Sequence, residues 1–498
     1  MSPPSRRTSR TARAGGERPA GSSGSVEVYG RPARAAAPLI ERLTLTMLTA
    51  ARLGATALAG LLLAGSAAAP ALADTPAPSP VTPPAALYGK GDPTYDGVWR
   101  QSLALTALAS AHVVPAASAV DWLTGQQCAD GGWPSFRAAT TAACDPKTED
   151  SNATSVAVQA LTALGGHQDA VAKGVGWLKA NQNTDGTWAY NPGSPGDANS
   201  TGLAAAALTA AHIDPATVAK AGGNAWNGLS GFQLGCTAPT ARGAFAYQPA
   251  PDGTLAANDL ASAQAALAAA GGALPVTTTD RLDAAPAALA CPAGDTSRTV
   301  PHAQSAEAAA AYLVAQLGAN GQHLMLTTPG AQPAPDLNAT SWAVLALVRA
   351  GHPHQAAAAA DWLAGNGYTW AAKGKNGTDP SAAATLLLVA QAAKLDPYNF
   401  GGTNLVQLLL DAGPAAAKTP AAAASAASAN PDGTKAPGSG ITEADDNGGF
   451  SPIWLVGIGL VVGIGGGLLI SINRRRQAAA AAAAPSGDDA AAGGDGQS

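Results

Sequence analysis

Asp150-Ser-Asn152-Ala-Thr154-Ser155 runs directly into Val156-Ala-Val-Gln-Ala-Leu161. The pattern returns as Asp197-Ala-Asn199-Ser-Thr201-Gly202 and as Asp336-Leu-Asn338-Ala-Thr340-Ser341. Each copy leads into an Ala/Leu/Val-rich stretch. A polar capping residue followed by small and apolar residues on every side is how a helix begins when it is buried nearly all round. Three such starts at long intervals predict an array of similar helical units.

Working outward, apolar stretches with helical spacing alternate in two kinds between residues 91 and 412. One kind is almost wholly apolar: 101–112, 151–164, 200–212, 258–270, 338–350 and 381–394. The other is amphipathic and often opens with Pro: 115–127, 168–182, 215–233, 305–317, 353–364 and 403–411. Strict alternation of six and six predicts an all-α fold, an α6/α6 double ring with the apolar helices inside. An open solenoid is the alternative. No stretch reads as a strand. His112 and His212 end inner helices, where a His complements the helix dipole.

The flanks read as targeting segments. Residues 1–46 are disordered or lie upstream of the true start. Residues 47–73 read as a signal peptide, with Arg52, the apolar run 53–69 and the small-residue site Ala71-Leu72-Ala73. A Pro-rich leader (74–90) precedes the toroid, and an Ala/Pro/Ser-rich stalk (413–450) follows it. Ile453–Ile472 is an uncharged run long enough to span a bilayer, and Arg474-Arg475-Arg476 follows it. The positive-inside rule puts the low-complexity tail 473–498 in the cytoplasm. The expectation is a single-pass cell-membrane protein with its toroid outside. A net charge of −5 gives no electrostatic case for nucleic acid.

Export makes the four cysteines readable as disulfides. Cys128–Cys144 and Cys236–Cys291 is the preferred pairing, because each pair brackets a loop beside one repeat. All three connectivities remain open at this stage. No clustered Cys/His spacing points to a metal, so none is expected.

A second repeat follows several amphipathic helices. Its fullest copy is Lys173-Gly174-Val-Gly-Trp177-Leu178-Lys-Ala-Asn-Gln182-Asn-Thr-Asp185-Gly186-Thr-Trp188, and Trp122, Gln127 and Trp133 mark another. The Gln is placed to bond carbonyls at the outer helix C-terminus, with the Trp covering the amide. This repeat resembles the QW motif of the terpenoid cyclase and protein prenyltransferase superfamily, and the resemblance spans roughly residues 90–412. It implies an α/α toroid with the QW residues as structural clamps. The cyclase acid, Asp-x-Asp-Asp, has no counterpart within the toroid, since Asp445-Asp446 lies in the stalk. The prenyltransferase zinc ligands have none on the inner helices. The inner-helix starts are also similar to those of the cobalamin carriers related to intrinsic factor and transcobalamin, which implies a non-enzymatic binder.

The expected ligand site is the barrel mouth: Asp150, Asn152, Thr154, Asp197, Asn199, Thr201, Asn258, Asp336, Asn338, Thr340 and Trp342. The expected ligand is a small molecule or glycan. Its most specific form is a corrinoid held for a membrane importer, with no cofactor required. A terpenoid-cyclase-like or carbohydrate-active enzyme is the alternative, the latter with the adjacent acids Glu149 and Asp150 as its carboxylate pair, and a cell-envelope structural or adhesion module is the third reading.

Overall fold

A computed structural model describes residues 81–277, 284–327 and 331–415 of the chain. All of them lie in the unit Ser79–Ser498. The segments read as signal peptide, membrane span and cytoplasmic tail, and nearly all of the stalk, fall outside the described residues. No helix among the described residues is long and apolar enough to cross a membrane.

Six buried helices form the inner layer: α1 (Gly97–Ser110), α3 (Ser151–Leu164), α5 (Ala198–Ala210), α7 (Asp259–Ala269), α9 (Leu337–Ala350) and α12 (Pro380–Ala392). Their contacts run α1–α3–α5–α7–α9–α12 and return from α12 to α1, so the series closes on itself. This mostly helical, closed arrangement is consistent with an α/α toroid. Outside it, α2 (Ala117–Gly125) packs on α1 and α4 (Gln168–Ala180) packs mainly on α3. α6 (Ala225–Ser230) packs on α5, α8 (His302–Ala319) on α7, α10 (Pro353–Asn366) on α9 and α13 (Leu405–Asp411) on α12. A short extra helix, α11 (Tyr368–Ala372), leads into α12.

Two expectations need correction. The stretch 215–233 is not one outer helix. Pro215–Thr217 makes a single 3-10 turn, and β1 (Ala219–Lys220) then pairs antiparallel with β2 (Gly223–Asn224) before α6. Ala221 and Gly222 between them both take positive φ, which a continuing helix cannot accommodate. Strands are also present elsewhere: β3 (Leu324–Leu326) pairs antiparallel with β4 (Ala334–Asp336). The histidines end their helices from just outside them. His112 and His212 lie just past their helices at φ 57° and 60°. They take the positive φ that Gly271 and Gly351 supply after two other inner helices and Lys394 after α12, whereas Gly165 ends α3 at φ 72° and ψ 166°.

Four of the six inner helix starts are locked by a hydroxyl to the loop before them. The Thr154 hydroxyl accepts the Trp133 N–H at 2.9 Å, and Thr201 accepts the Trp188 N–H at 3.0 Å. Ser262 accepts the Phe245 N–H at 2.8 Å, and Thr340 accepts the Leu324 N–H at 2.9 Å. The Trp then reaches outward: Trp133 Nε1 donates to Leu123 O and Trp188 Nε1 to Leu178 O, near the ends of α2 and α4. The glutamines act differently from expectation. Gln127 donates to Gly131 O and to Ala170 O in the first turn of the next outer helix, and Gln233 donates to Gly243 O and Ser305 O. The Gln therefore joins successive outer helices, and the Trp satisfies the carbonyl of its own.

The ring is fastened where its ends meet. Leu87 and Tyr88 are buried, so the packed body begins inside the Pro-rich leader. Gly89 N–H donates to Ala412 O, just past α13. Arg100 stands where Thr154 and Thr201 stand in their units, and its guanidinium bonds Gly91 O, Asp92 O and Asp96 Oδ1. Both preferred disulfides are present, Cys128–Cys144 and Cys236–Cys291, with Cα–Cα distances of 5.9 and 5.5 Å.

Replacing Thr201 by Val keeps the shape but strands the buried Trp188 N–H. The expected cost is about 1–3 kcal/mol in chemical denaturation. An unchanged midpoint would show that the hydroxyl does not tie loop to helix.

Candidate functional site

The inner-helix N-termini lie side by side at one mouth. Ser151 N–H donates to Tyr190 O in the loop before α5, and Ala198 N–H donates to Tyr247 O in the loop before α7. Every one of the six helices has Asp or Asn at its N-cap: Asp96, Asp150, Asp197, Asn258, Asp336 and Asp379. Five accept backbone N–H groups. Asp150 takes Asn152 N–H at 2.7 Å and Ala153 N–H at 3.1 Å, and Asp197 takes Ser200 N–H at 2.7 Å. Asn258, Asp336 and Asp379 each take one at 2.8–3.0 Å. Asp96 pairs with Arg100 instead.

The five-residue motif thus divides by position. The first residue caps its helix. The fifth, Thr154, Thr201 or Thr340, is buried with its hydroxyl taken up by the loop bonds given above. The third, Asn152, Asn199 or Asn338, is half-buried. Helical spacing places Asn152, Val156 and Gln159 on one stripe of α3, and Asn338, Trp342, Leu345 and Arg349 on one stripe of α9. Both stripes face the lumen, because one loop meets both. Gln159 Oε1 accepts the Leu274 N–H at 2.8 Å, and Arg349 donates two bonds to Gly271 O. α3 and α9 lie across the ring from each other, so the segment 271–276 passes over the lumen at the end away from the mouth. Leu274 and Val276 are buried there.

At the mouth end of these stripes are amides. Asn199 Nδ2 donates to Gln264 Oε1 on α7 at 2.7 Å. Asn152 Oδ1 is buried without a partner. Trp342 is 1% exposed and serves as core.

Two residues at the mouth, Ser135 and Asp96, were missed by sequence reasoning. Ser135 Oγ donates to Asp150 Oδ2 at 3.0 Å and lies 3.2 Å from the Tyr190 hydroxyl. The repeated spacing Trp133-Pro-Ser135, Trp188-Ala-Tyr190 and Phe245-Ala-Tyr247 was the available signal: two residues past each loop aromatic, a hydroxyl returns to the mouth. Asp96 was also passed over, because Gly97-Val-Trp follows it rather than Asn and Thr.

Burial pushes the carboxyls of Asp150 and Asp197 up to about 6, against the pull of their N–H bonds. The Asp150 charge, then burial, hold the Tyr190 phenol above its usual range. Glu149 does not join Asp150. Asn191 Nδ2 bonds its backbone oxygen, while its carboxyl is buried beside Gly132 and Trp177 with Oε2 unpartnered. Burial, then the neighbouring Asp130, push it up to about 7. It lies within 4.8 Å of the sulfurs of Cys128 and Cys144. Both of those are spent in the disulfide, so this group is not a ready metal set.

Residues 83–204 match the family model of the squalene-hopene cyclase C-terminal domain. The match runs from ahead of α1 into α5 and contains both full QW copies. The likeness to the terpenoid cyclase and prenyltransferase α/α toroids rests on that stretch; the likeness to cobalamin carriers gains no support. No curated protein matches the chain. A similar solved structure is the crystal structure of a protein from Actinoplanes, with 18% identity over 64% of this chain and 80% of that one, at a TM-score of 0.37.

The raised carboxyls set a pH dependence. Asp150 and Asp197 hold a proton more tightly folded than unfolded. Their contribution is therefore full below pH about 4 and is lost as pH rises through about 6. A carboxyl moved from 3.8 to about 6 corresponds to roughly 3 kcal/mol. Thermal stability is expected to rise between pH 7 and 5, and Asp150→Asn, which keeps a capping oxygen, flattens the slope. A stability that falls over that range contradicts the assignment.

Proposed function

We propose that this chain is an exported α6/α6 toroid, held to the membrane by its C-terminal span, which binds a small polar molecule or glycan at the inner-helix mouth and does no chemistry there. The observation that carries the reading is the division of labour within Asp-x-Asn-x-Thr. The carboxylates serve helix N–H groups and the hydroxyls serve loop N–H groups, while the Asn amides on the lumen stripes keep hydrogen-bonding capacity to spare. An amide ring over a lumen crossed at its far end by 271–276 suits a compact polar ligand better than a long polyene. A corrinoid delivered to an importer is the most specific form of this proposal.

The second reading is a terpenoid-cyclase-like enzyme, favoured by the family match over residues 83–204. Against it stand the committed mouth carboxylates and lumen stripes whose one aromatic residue, among those named above, is Trp342. A carbohydrate-cleaving pair of Glu149 and Asp150 is disfavoured because the two carboxyls diverge.

The full chain in detergent, heated with corrinoids, polyprenes and oligosaccharides in turn, tests the proposal. A ligand at 100 times its Kd raises stability by about 2.7 kcal/mol, and replacing Asn152 and Asn199 by Ala is expected to abolish the shift. No shift with any ligand class contradicts the binding reading. Cyclised product from squalene, lost on changing one acid, contradicts the non-catalytic one.

A further inference from the structure

We propose that the rim between α1 and α7 is a subsite for a neutral oligosaccharide, laid along the aromatic arc Tyr95, Phe136, Tyr190 and Tyr247. The inference rests on the mouth as a binding face and names the ligand class and the residues that select it.

The arc is traced by neighbouring loop positions, its Phe136 ring backed by Trp122 at 6.4 Å between centroids. Tyr95 adjoins the Asp96 cap, and a Cβ on Gly97 would lie 3.4 Å from the Phe136 ring and 3.3 Å from Ser135 O. Val98 N–H donates to that same Ser135 oxygen. Ser135 Oγ and the Tyr190 hydroxyl meet at 3.2 Å, with Asp150 Oδ2 accepting from Ser135. Tyr247 holds the next position through its backbone oxygen, which accepts the Ala198 N–H. Four successive units thus each present a ring or hydroxyl on one rim. Large apolar surface is normally hidden, yet Tyr95 is 74% exposed and Tyr247 40% exposed.

The chemistry fits sugars. The apolar face of a pyranose packs on aromatic rings, and its vicinal hydroxyls need acceptors and donors at a fixed level beside those rings. The half-buried Ser135 Oγ and Tyr190 hydroxyl, 3.2 Å apart, supply both at one point of the arc, with the buried Asp150 carboxyl fixing Ser135 from behind. Because Tyr190 and Tyr247 belong to neighbouring units, they stand about one helix spacing, ~8–10 Å, apart. That separation favours a chain of sugars over a single ring. The Asp150 carboxyl beside the hydroxyl cluster favours neutral sugars over uronates or sulfated ones.

Titration calorimetry of the full chain in detergent with defined neutral oligosaccharides of increasing length tests this. Affinity is expected to grow with chain length. Tyr95→Ala and Tyr247→Ala should each weaken it by about tenfold. Tyr398→Ala, 54% exposed and so between those two but beyond the far end of α12, should leave it unchanged. Circular dichroism melts confirm that the variants fold. Binding that ignores both arc substitutions, or that is confined to acidic glycans, overturns the proposal. If no oligosaccharide binds but a corrinoid or another small molecule stabilises the chain, the proposal falls and the mouth reading stands. If neither binds, both fall.

Discussion

One hydrogen bond organises the repeat: a hydroxyl at the fifth position of an inner-helix start accepts the N–H of the loop aromatic, or of Leu324 in its place. It turns an outer-to-inner connection into a fixed corner. The Trp side chain beyond that N–H bonds the end of the outer helix, and the Gln before it reaches the next outer helix. A buried amide without this acceptor would cost roughly what a whole helix cap contributes. The Thr or Ser is thus no spare polar group at the mouth, and neither is the capping Asp.

With corners fixed, the remaining problem of a ring is closure. The first unit has Arg100 where four others have a hydroxyl, and its guanidinium gathers the leader carbonyls of Gly91 and Asp92. Gly89 then joins the leader to the end of α13. The lumen is dealt with separately. The segment 271–276 spans it between Gln159 and Arg349, leaving amides at the mouth end as the groups with bonding capacity to spare. The binding proposed above is confined to the mouth and its rim.

The sequence carried much of this. Helix starts were legible because Asp-x-Asn-x-Thr is a local signal, and α3 begins and ends where its pattern says. The preferred cysteine pairing was legible from loop spacing. The 215–233 stretch was misread because its apolar periodicity is helical, while the turn at Ala221-Gly222-Gly223 overrides it. His112 and His212 were legible as helix ends but not as positive-φ residues, because nothing in sequence distinguishes a His in the last turn from one just past it. The site was legible as a place and not as a set of atoms. Which motif position faces the lumen depends on helix rotation, fixed by partners as distant in sequence as Leu274 is from Gln159. The rim hydroxyls of Ser135 and Tyr190 meet Asp150 only through the ring.

The central claim, that the motif hydroxyls lock loop to inner helix, is tested most directly by amide hydrogen exchange at Trp133, Trp188, Phe245 and Leu324. The account predicts that these four N–H groups exchange as slowly as amides inside α3 and α5. Exchange at the rate of open turn amides, such as that of Thr254, would contradict it.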